Sequence, residues 1–229
     1  MAAYDVAVVG IDGCRDGWIA VVWREGEVDV HFWSSIRQIR EVGDVQVAAI
    51  DIPLGFSVTG ERGAEVLARR RLPGRSSTIF NAPPRSCLAA GDDYQRANDL
   101  SRHHGAKGLS RQSFGLLAKI REVDDFWRSS PCPLYEVHPE LSFARLNGGV
   151  PLSTKKSWAG VAARRELLLV RGIVLDDFRG PPASRVAADD VLDAGVCAWT
   201  ASRIVRDDVQ CLPDPPPFDA TGREMCIRV

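Results

Sequence analysis

Four aspartates stand where apolar runs begin or end. Asp12 closes Val6-Ala7-Val8-Val9-Gly10-Ile11, Asp51 closes Val45-Gln46-Val47-Ala48-Ala49-Ile50, and Asp190 and Asp193 open an Ala/Val-rich stretch near the C-terminus. A carboxylate at the edge of buried sequence is costly unless a cation or hydrogen-bond donors meet it, and a divalent ion is one such partner. If folding brings the four together they can hold Mg²⁺ or Mn²⁺ and serve the hydrolysis or transfer of phosphate esters. The two-ion form of that chemistry places the ions roughly 3.5–4 Å apart. Each acid also has a plainer reading. Asp12, in Gly10-Ile11-Asp12-Gly13, carries an ordinary Asp-Gly turn signal. Asp190 and Asp193, three apart on one helix face, could serve as cap and dipole partner. Asp51 interrupts an otherwise wholly apolar strand and must be paired, protonated or metal-bound.

A second dense site is Tyr135-Glu136-Val137-His138-Pro139-Glu140. In an extended chain Glu136, His138 and Glu140 point to one side, where carboxylate and imidazole can bind metal or act as base and acid. The alternative is a polar strand edge with Glu140 opening a helix. Arg15, Arg85, Lys119 and Lys155, the last beside Lys156, are candidate phosphate ligands. Gln112 follows Ser110 in a segment that also reads as a helix cap. The chain has no G-x-G-x-x-G, no G-x-x-x-x-G-K-[ST], no G-x-S-x-G and no H-E-x-x-H, which removes the common dinucleotide, P-loop, serine-hydrolase and zinc-protease signatures.

These side chains need elements to position them. Residues 4–12, 18–23, 28–33 and 45–52 read as strands, the first two joined by a hairpin turn and the fourth apolar enough to be central. Residues 34–42 read as a short helix. From 60 to 128 the pattern favours helices at 63–71, 92–103 and 112–127. A fifth strand is predicted at 133–137, and helices at 139–147, 158–171 and 189–206. Residues 213–217, Pro-Asp-Pro-Pro-Pro, form a rigid spacer, and 219–222 a turn. The predicted architecture is a single α/β domain over 1–229: an RNase H-like mixed five-stranded sheet flanked by helices, with a helical insertion at 57–130. In such sheets active residues gather at strand ends.

With 45% apolar and 26% charged residues, the chain has the composition of an ordinary globular protein. It has no apolar run near the roughly 20 residues that cross a membrane. Its first residues lack a basic leader, and its six cysteines form no C-x-x-C. Cytoplasmic residence and no membrane partner are therefore expected. Net charge is −1, but residues 1–60 sum to −5 and residues 61–128 to +5. A basic cover over an acidic site suits a polyanion.

Taken in order, Gly10-Ile11-Asp12-Gly13-Cys14-Arg15, Asp51-Ile52-Pro53-Leu54-Gly55, the block from Arg75 to Arg85, Gly108-Leu109-Ser110, Lys119-Ile120-x-Glu122-Val123-Asp124, residues 135–140, Lys155-Lys156 and residues 189–194 resemble an uncharacterised bacterial and archaeal family of predicted RNase H-fold nucleases. The resemblance covers about residues 5–205 and most of the tail. It implies acids on strand one (Asp12), at the end of strand four (Asp51), and as a D-x-x-D pair on the last helix (Asp190, Asp193). The expected activity is metal-dependent cleavage of nucleic acid, DNA or RNA, with Mg²⁺ or Mn²⁺ as cofactor, Glu136 or His138 handling the water, and Arg15, Lys119 and Lys155 on phosphate. A homodimer is compatible with this reading. The shorter Asp51 stands where related resolvases often carry Glu, and residues 135–140 and the insertion have no counterpart in them. Fold does not fix substrate. The rival expectations are a nucleotide or small-molecule phosphohydrolase or phosphotransferase, and a non-catalytic nucleic-acid-binding module.

Overall fold

The computed structural model describes residues 7–24, 26–175 and 186–229. Two antiparallel turns of chain, β1 (Ala7–Cys14), β2 (Gly17–Arg24) and β3 (Glu27–Trp33), form one half of a five-stranded sheet. β4 (Val45–Ile50) then adds parallel to β1, and β5 (Leu134–Glu136) parallel to β4, giving the order β3-β2-β1-β4-β5. The run predicted at 4–12 begins at Ala7 among the described residues; residues 4–6 lie outside them. β3 alternates exposed and covered side chains, as an edge strand with one wet face does, whereas β1 is apolar on both faces. The short helix expected at 34–42 is a 3₁₀ turn, Ile36–Glu41, capped reciprocally by Ser35 and Gln38.

Between β4 and β5 the chain runs through α1 (Gly63–Arg71), α2 (Tyr94–His103), α3 (Arg111–Gly115) and α4 (Leu117–Phe126). The single helix predicted at 112–127 is thus two, broken after Gly115, the residue of the segment that gains least from helix formation. After β5 come α5 (Pro139–Leu146), α6 (Trp158–Val170) and α7 (Ala188–Val205). The C-terminal segment returns as a two-stranded ribbon, β6 (Cys211–Leu212) with β7 (Ile227–Arg228), tied to the sheet edge by a bridge between Val137 and Arg228. No described helix is long and apolar enough to cross a membrane.

Period-two alternation sorts each strand between two cores. Val9, Ile11, Ala48 and Ile50 face one side, packed with Leu117, Ile120, Val123 and Phe126 of α4. Val8, Val47 and Ala49 face the other, against Cys197 and Ala201 of α7. α7 lies unusually close to β1. A Cβ on Gly10 would sit 2.0 Å from the Ala198 backbone nitrogen and 2.1 Å from the Ala194 carbonyl oxygen. Glycine at this position lets helix and strand meet backbone to backbone, and that contact fixes where the start of α7 projects.

Candidate active site

Asp12 continues the series Val8, Gly10 along β1, and Asp51 continues Val47, Ala49 along β4. Both therefore emerge on the α7 face. The two strands are in register there, Ile11 beside Ile50, and the Asp51 amide donates to the Ile11 carbonyl at 3.0 Å. α7 runs back against β1, from its start near Asp12 to Ala198 at Gly10 and Ala201 near Val8. Its first turns thus bring Asp190 and Asp193 to the same place. Asp12, Asp51, Asp190 and Asp193 line one cavity of about 460 Å³, together with His138, Glu140, Gln112, Arg75, Lys155 and Lys156.

The cavity concentrates negative charge. Asp12 is 7% exposed and Asp193 2%. Burial, then Asp51, Asp193 and Asp190 in turn, pushes the Asp12 carboxyl well above the usual range. Burial pushes Asp51 up to about 7, against the pull of Lys155 and with a further push from Glu140. Burial likewise pushes Asp193 up to about 7 although Lys155 opposes it. Lys155 is the central counter-charge. Its Nζ lies 2.6 Å from Asp193 Oδ2 and 3.4 Å from Asp189 Oδ2, and despite its own burial these acids hold it above the ordinary lysine value. Lys156 pairs with Asp189 at 2.7 Å. Burial works against the Asp189 charge, but Lys156 and Lys155 keep its carboxyl below the usual range. Asp189 is therefore the structural member of the acidic trio at the head of α7. No side chain caps that helix, whose cap position is Ala187.

His138 is set up as an acceptor. Its Nε2 is 3.3 Å from the Thr78 carbonyl oxygen, which can only accept, so Nε2 carries the proton. The other nitrogen, Nδ1, is buried without a hydrogen-bond partner, and burial lowers the pKa of the ring. The neutral imidazole thus keeps a lone pair on a residue of the cavity wall.

Glu136 lines the same cavity but both its oxygens are committed. Arg62 Nη2 donates to Oε1 at 2.7 Å and Nη1 to Oε2 at 2.9 Å, and the Leu54 amide donates to Oε2 at 2.6 Å. Arg62, only 3% exposed, also holds Glu65 and the carbonyls of Leu54 and Gly55. This bidentate, fully buried arrangement makes Glu136 a brace beneath Pro53 and Leu54 rather than a base or ligand. Removing the guanidinium by Arg62→Met should destabilise the fold by about 3–5 kcal/mol, because two carboxylates are left buried and unpaired. Chemical denaturation would measure this, and a change below about 1 kcal/mol would mean that the pair is dispensable.

Three predicted phosphate ligands are placed elsewhere. Arg85 is held by Asp124 at 3.0 Å and Asp219 at 2.7 Å and lies over the Phe56 ring. Lys119 spends its ammonium on the Gly17 carbonyl, at 2.5 Å, and on the Trp18 ring. Arg15 is exposed at the β1–β2 turn, outside the cavity lining. Arg85 and Lys119 are thus committed to partners outside the cavity lining. The positive residues that do line the site are Arg75, Lys155 and Lys156. Arg75 was missed in the sequence. Its only mark there is its place in the block from Arg75 to Arg85, and its role depends on Glu140, 3.5 Å away and itself held by Arg164 at 2.8 Å.

Among the described residues, no three His, Cys, Asp or Glu side chains stand close enough together to enclose an ion as they are placed. The donor set still suits a hard divalent cation. Asp12, Asp51 and Asp193 offer only oxygen, their mutual repulsion is relieved by positive charge, and Asp193 Oδ1 is buried with no hydrogen-bond partner. No curated protein and no solved structure matches this chain. A family model described as "Protein of unknown function (DUF429)" matches residues 10–217, and the chain belongs to that family.

Proposed function

We propose that the chain is a Mg²⁺- or Mn²⁺-dependent hydrolase of phosphodiester bonds in nucleic acid, built on an RNase H-like sheet. The observation that carries this reading is the convergence on one cavity of Asp12, Asp51, Asp190 and Asp193, from three elements far apart in sequence, with mutual repulsion that a cation would relieve. The sheet order, with β2 antiparallel between β3 and β1 and with β4 and β5 parallel to β1, supports the RNase H-like assignment. Asp12, Asp51 and Asp193 would hold the metal, with Asp190 beside them. The ion would supply an activated water and offset the charge of the phosphate. His138 is the base candidate on the cavity wall, and with its tautomer fixed by the Thr78 carbonyl it would take the proton at Nδ1. Lys155, Lys156 and Arg75 hold the substrate's phosphates at the cavity wall. Glu136 keeps the floor rigid.

Labelled single- and double-stranded DNA and RNA oligonucleotides test the proposal, incubated with the full chain in Mn²⁺ or in chelator. Cleavage only with metal is expected. His138→Gln should lower kcat by about 10²–10⁴-fold, the usual worth of a general base, while Mn²⁺ affinity is kept. Absence of both metal binding and cleavage of every substrate would sink it. The cavity's volume, about 460 Å³, also favours a second reading, hydrolysis of a free nucleotide. Turnover of mononucleotides with oligonucleotides left intact would select that one.

A further inference from the structure

A second cavity, of about 630 Å³, lies between the loop entering β5 and the C-terminal segment, with Glu136 in the wall that it shares with the aspartate cavity. Its lining carries three arginines against two glutamates, Glu136 and Glu224. Arg128, Arg223 and Arg228 line it, interleaved with Trp127, Tyr135 and Phe218. Two guanidinium groups lie over the Trp127 ring, with Arg223 Cζ 4.6 Å and Arg128 Cζ 4.9 Å from its centroid, and Arg228 Cζ is 3.9 Å from that of Tyr135.

The three arginines are not equivalent. Arg228 is neutralised by Glu224 at 2.5 Å. Arg128 is exposed and donates to the Thr221 carbonyl at 2.8 Å. Arg223 is 6% exposed and forms no ion pair among the described residues. The acids around it are spent elsewhere: Asp124 and Asp219 on Arg85, Glu136 on Arg62. Its Nη2 makes only a long contact, 3.4 Å, with the Leu134 carbonyl, and its Nη1 is buried with no partner. Burial lowers its pKa to about 10, against the pull of Glu136, Asp124 and Asp219. A buried cation kept unpaired beside a cavity is costly, and an anion in the cavity would remove that cost.

We propose that this cavity binds a phosphate group, monoester or diester, on Arg223 and Arg128. Planar guanidinium forks match phosphate oxygens bidentately, and the Trp127 ring holds both guanidinium groups in place. The proposal stands apart from the reading of the aspartate cavity, because none of its ligands serves there.

Calorimetric titration of the full chain in chelator, at low salt, tests it with three probes: inorganic phosphate, a 5′-mononucleotide and a short single-stranded oligonucleotide. Saturable binding of at least one is expected. Arg128→Ala, at an exposed position, should weaken that binding at least tenfold. Arg223→Met should abolish it while the ligand-free melting temperature stays level or rises, since an unpaired buried charge is gone. A preference for phosphate or mononucleotide identifies a free small anion as the ligand, and a preference for the oligonucleotide identifies a strand. No saturable binding of any probe, or binding unchanged in both variants, would overturn the proposal.

Discussion

Asp12→Asn should abolish metal-dependent cleavage and, in chelator at pH 8, stabilise the protein. The activity loss should exceed the roughly 10–100-fold that follows when a mere supporting partner of a metal site is removed. The stability gain follows from the charges. Burial and the neighbouring aspartates push Asp12 well above the usual carboxylate range, and Asp51 and Asp193 stand at about 7. A carboxyl whose pKa is raised by folding binds its proton more tightly in the native state. Stability is then unaffected below the unfolded value and falls as pH rises through the window up to the folded value, from about 4 to about 7 for Asp51 and Asp193. The metal-free wild type should therefore melt lower at pH 8 than at pH 5, and Mn²⁺ should restore the difference. Asparagine keeps the acceptor that Asp12 Oδ1 offers to the Gly13 amide at 2.8 Å but cannot ionise. The variant should lose the part of the pH slope that Asp12 itself contributes and melt higher than wild type at pH 8, while the part due to Asp51 and Asp193 remains. Melting curves at both pH values, with and without Mn²⁺, check it. A variant that melts lower than wild type at pH 8 and still cleaves would contradict the proposed role.

The largest stability loss is expected from Gly10→Val. Even the first added carbon would lie 2.0 Å from Ala198 N and 2.1 Å from Ala194 O, both backbone atoms of α7 that cannot rotate aside. The helix would have to lift off β1, opening the core that Val8, Val47 and Ala49 make with Cys197 and Ala201. The cost should exceed the roughly 1–3 kcal/mol of ordinary overpacking, and even Gly10→Ala should reach the upper part of that range. Because α7 carries Asp190 and Asp193, any variant that still folds should also lose metal affinity. Gly43→Ala is the control, since a Cβ there meets nothing within 4 Å. It should stay within about 0.5 kcal/mol of wild type. Urea denaturation distinguishes the two, and equal stability of both variants would show that α7 does not rest on Gly10.

The family motifs separate into two kinds once their partners are seen. Asp12, Asp51, Asp190 and Asp193 face the cavity. Glu122 and Asp124, from the same ordered set of motifs, serve the frame. Glu122 accepts from the Trp18 indole, the Ser35 hydroxyl and the Ile36 amide, and Asp124 holds Arg85. Short motifs alone do not tell these roles apart, because both need a charged residue beside an apolar run.

Alternation and burial are local, so the strands of the five-stranded sheet and the helices after β5 were legible in the sequence, whereas β1 is apolar on both faces and packing against α7 settles the face on which Asp12 and Asp51 emerge. Each follows a period-two series whose other members are apolar. On β5, Tyr135 and Val137 pack on the α7 face and Leu134 on the other, so Glu136 leaves the strand on the side opposite to Asp12 and Asp51, although the spacing of Glu136, His138 and Glu140 alone predicts one shared side. Tertiary structure alone decided which charges would meet. Arg62 reaches Glu136 across 74 residues, and Lys155 reaches Asp193 across 38. Lys119 and Arg85 turn away to partners that no spacing announces. An ion pair forms between whichever groups the packed backbone brings within about 4 Å, and that distance is set by how α7 and the loops seat on the sheet rather than by any pattern along the chain.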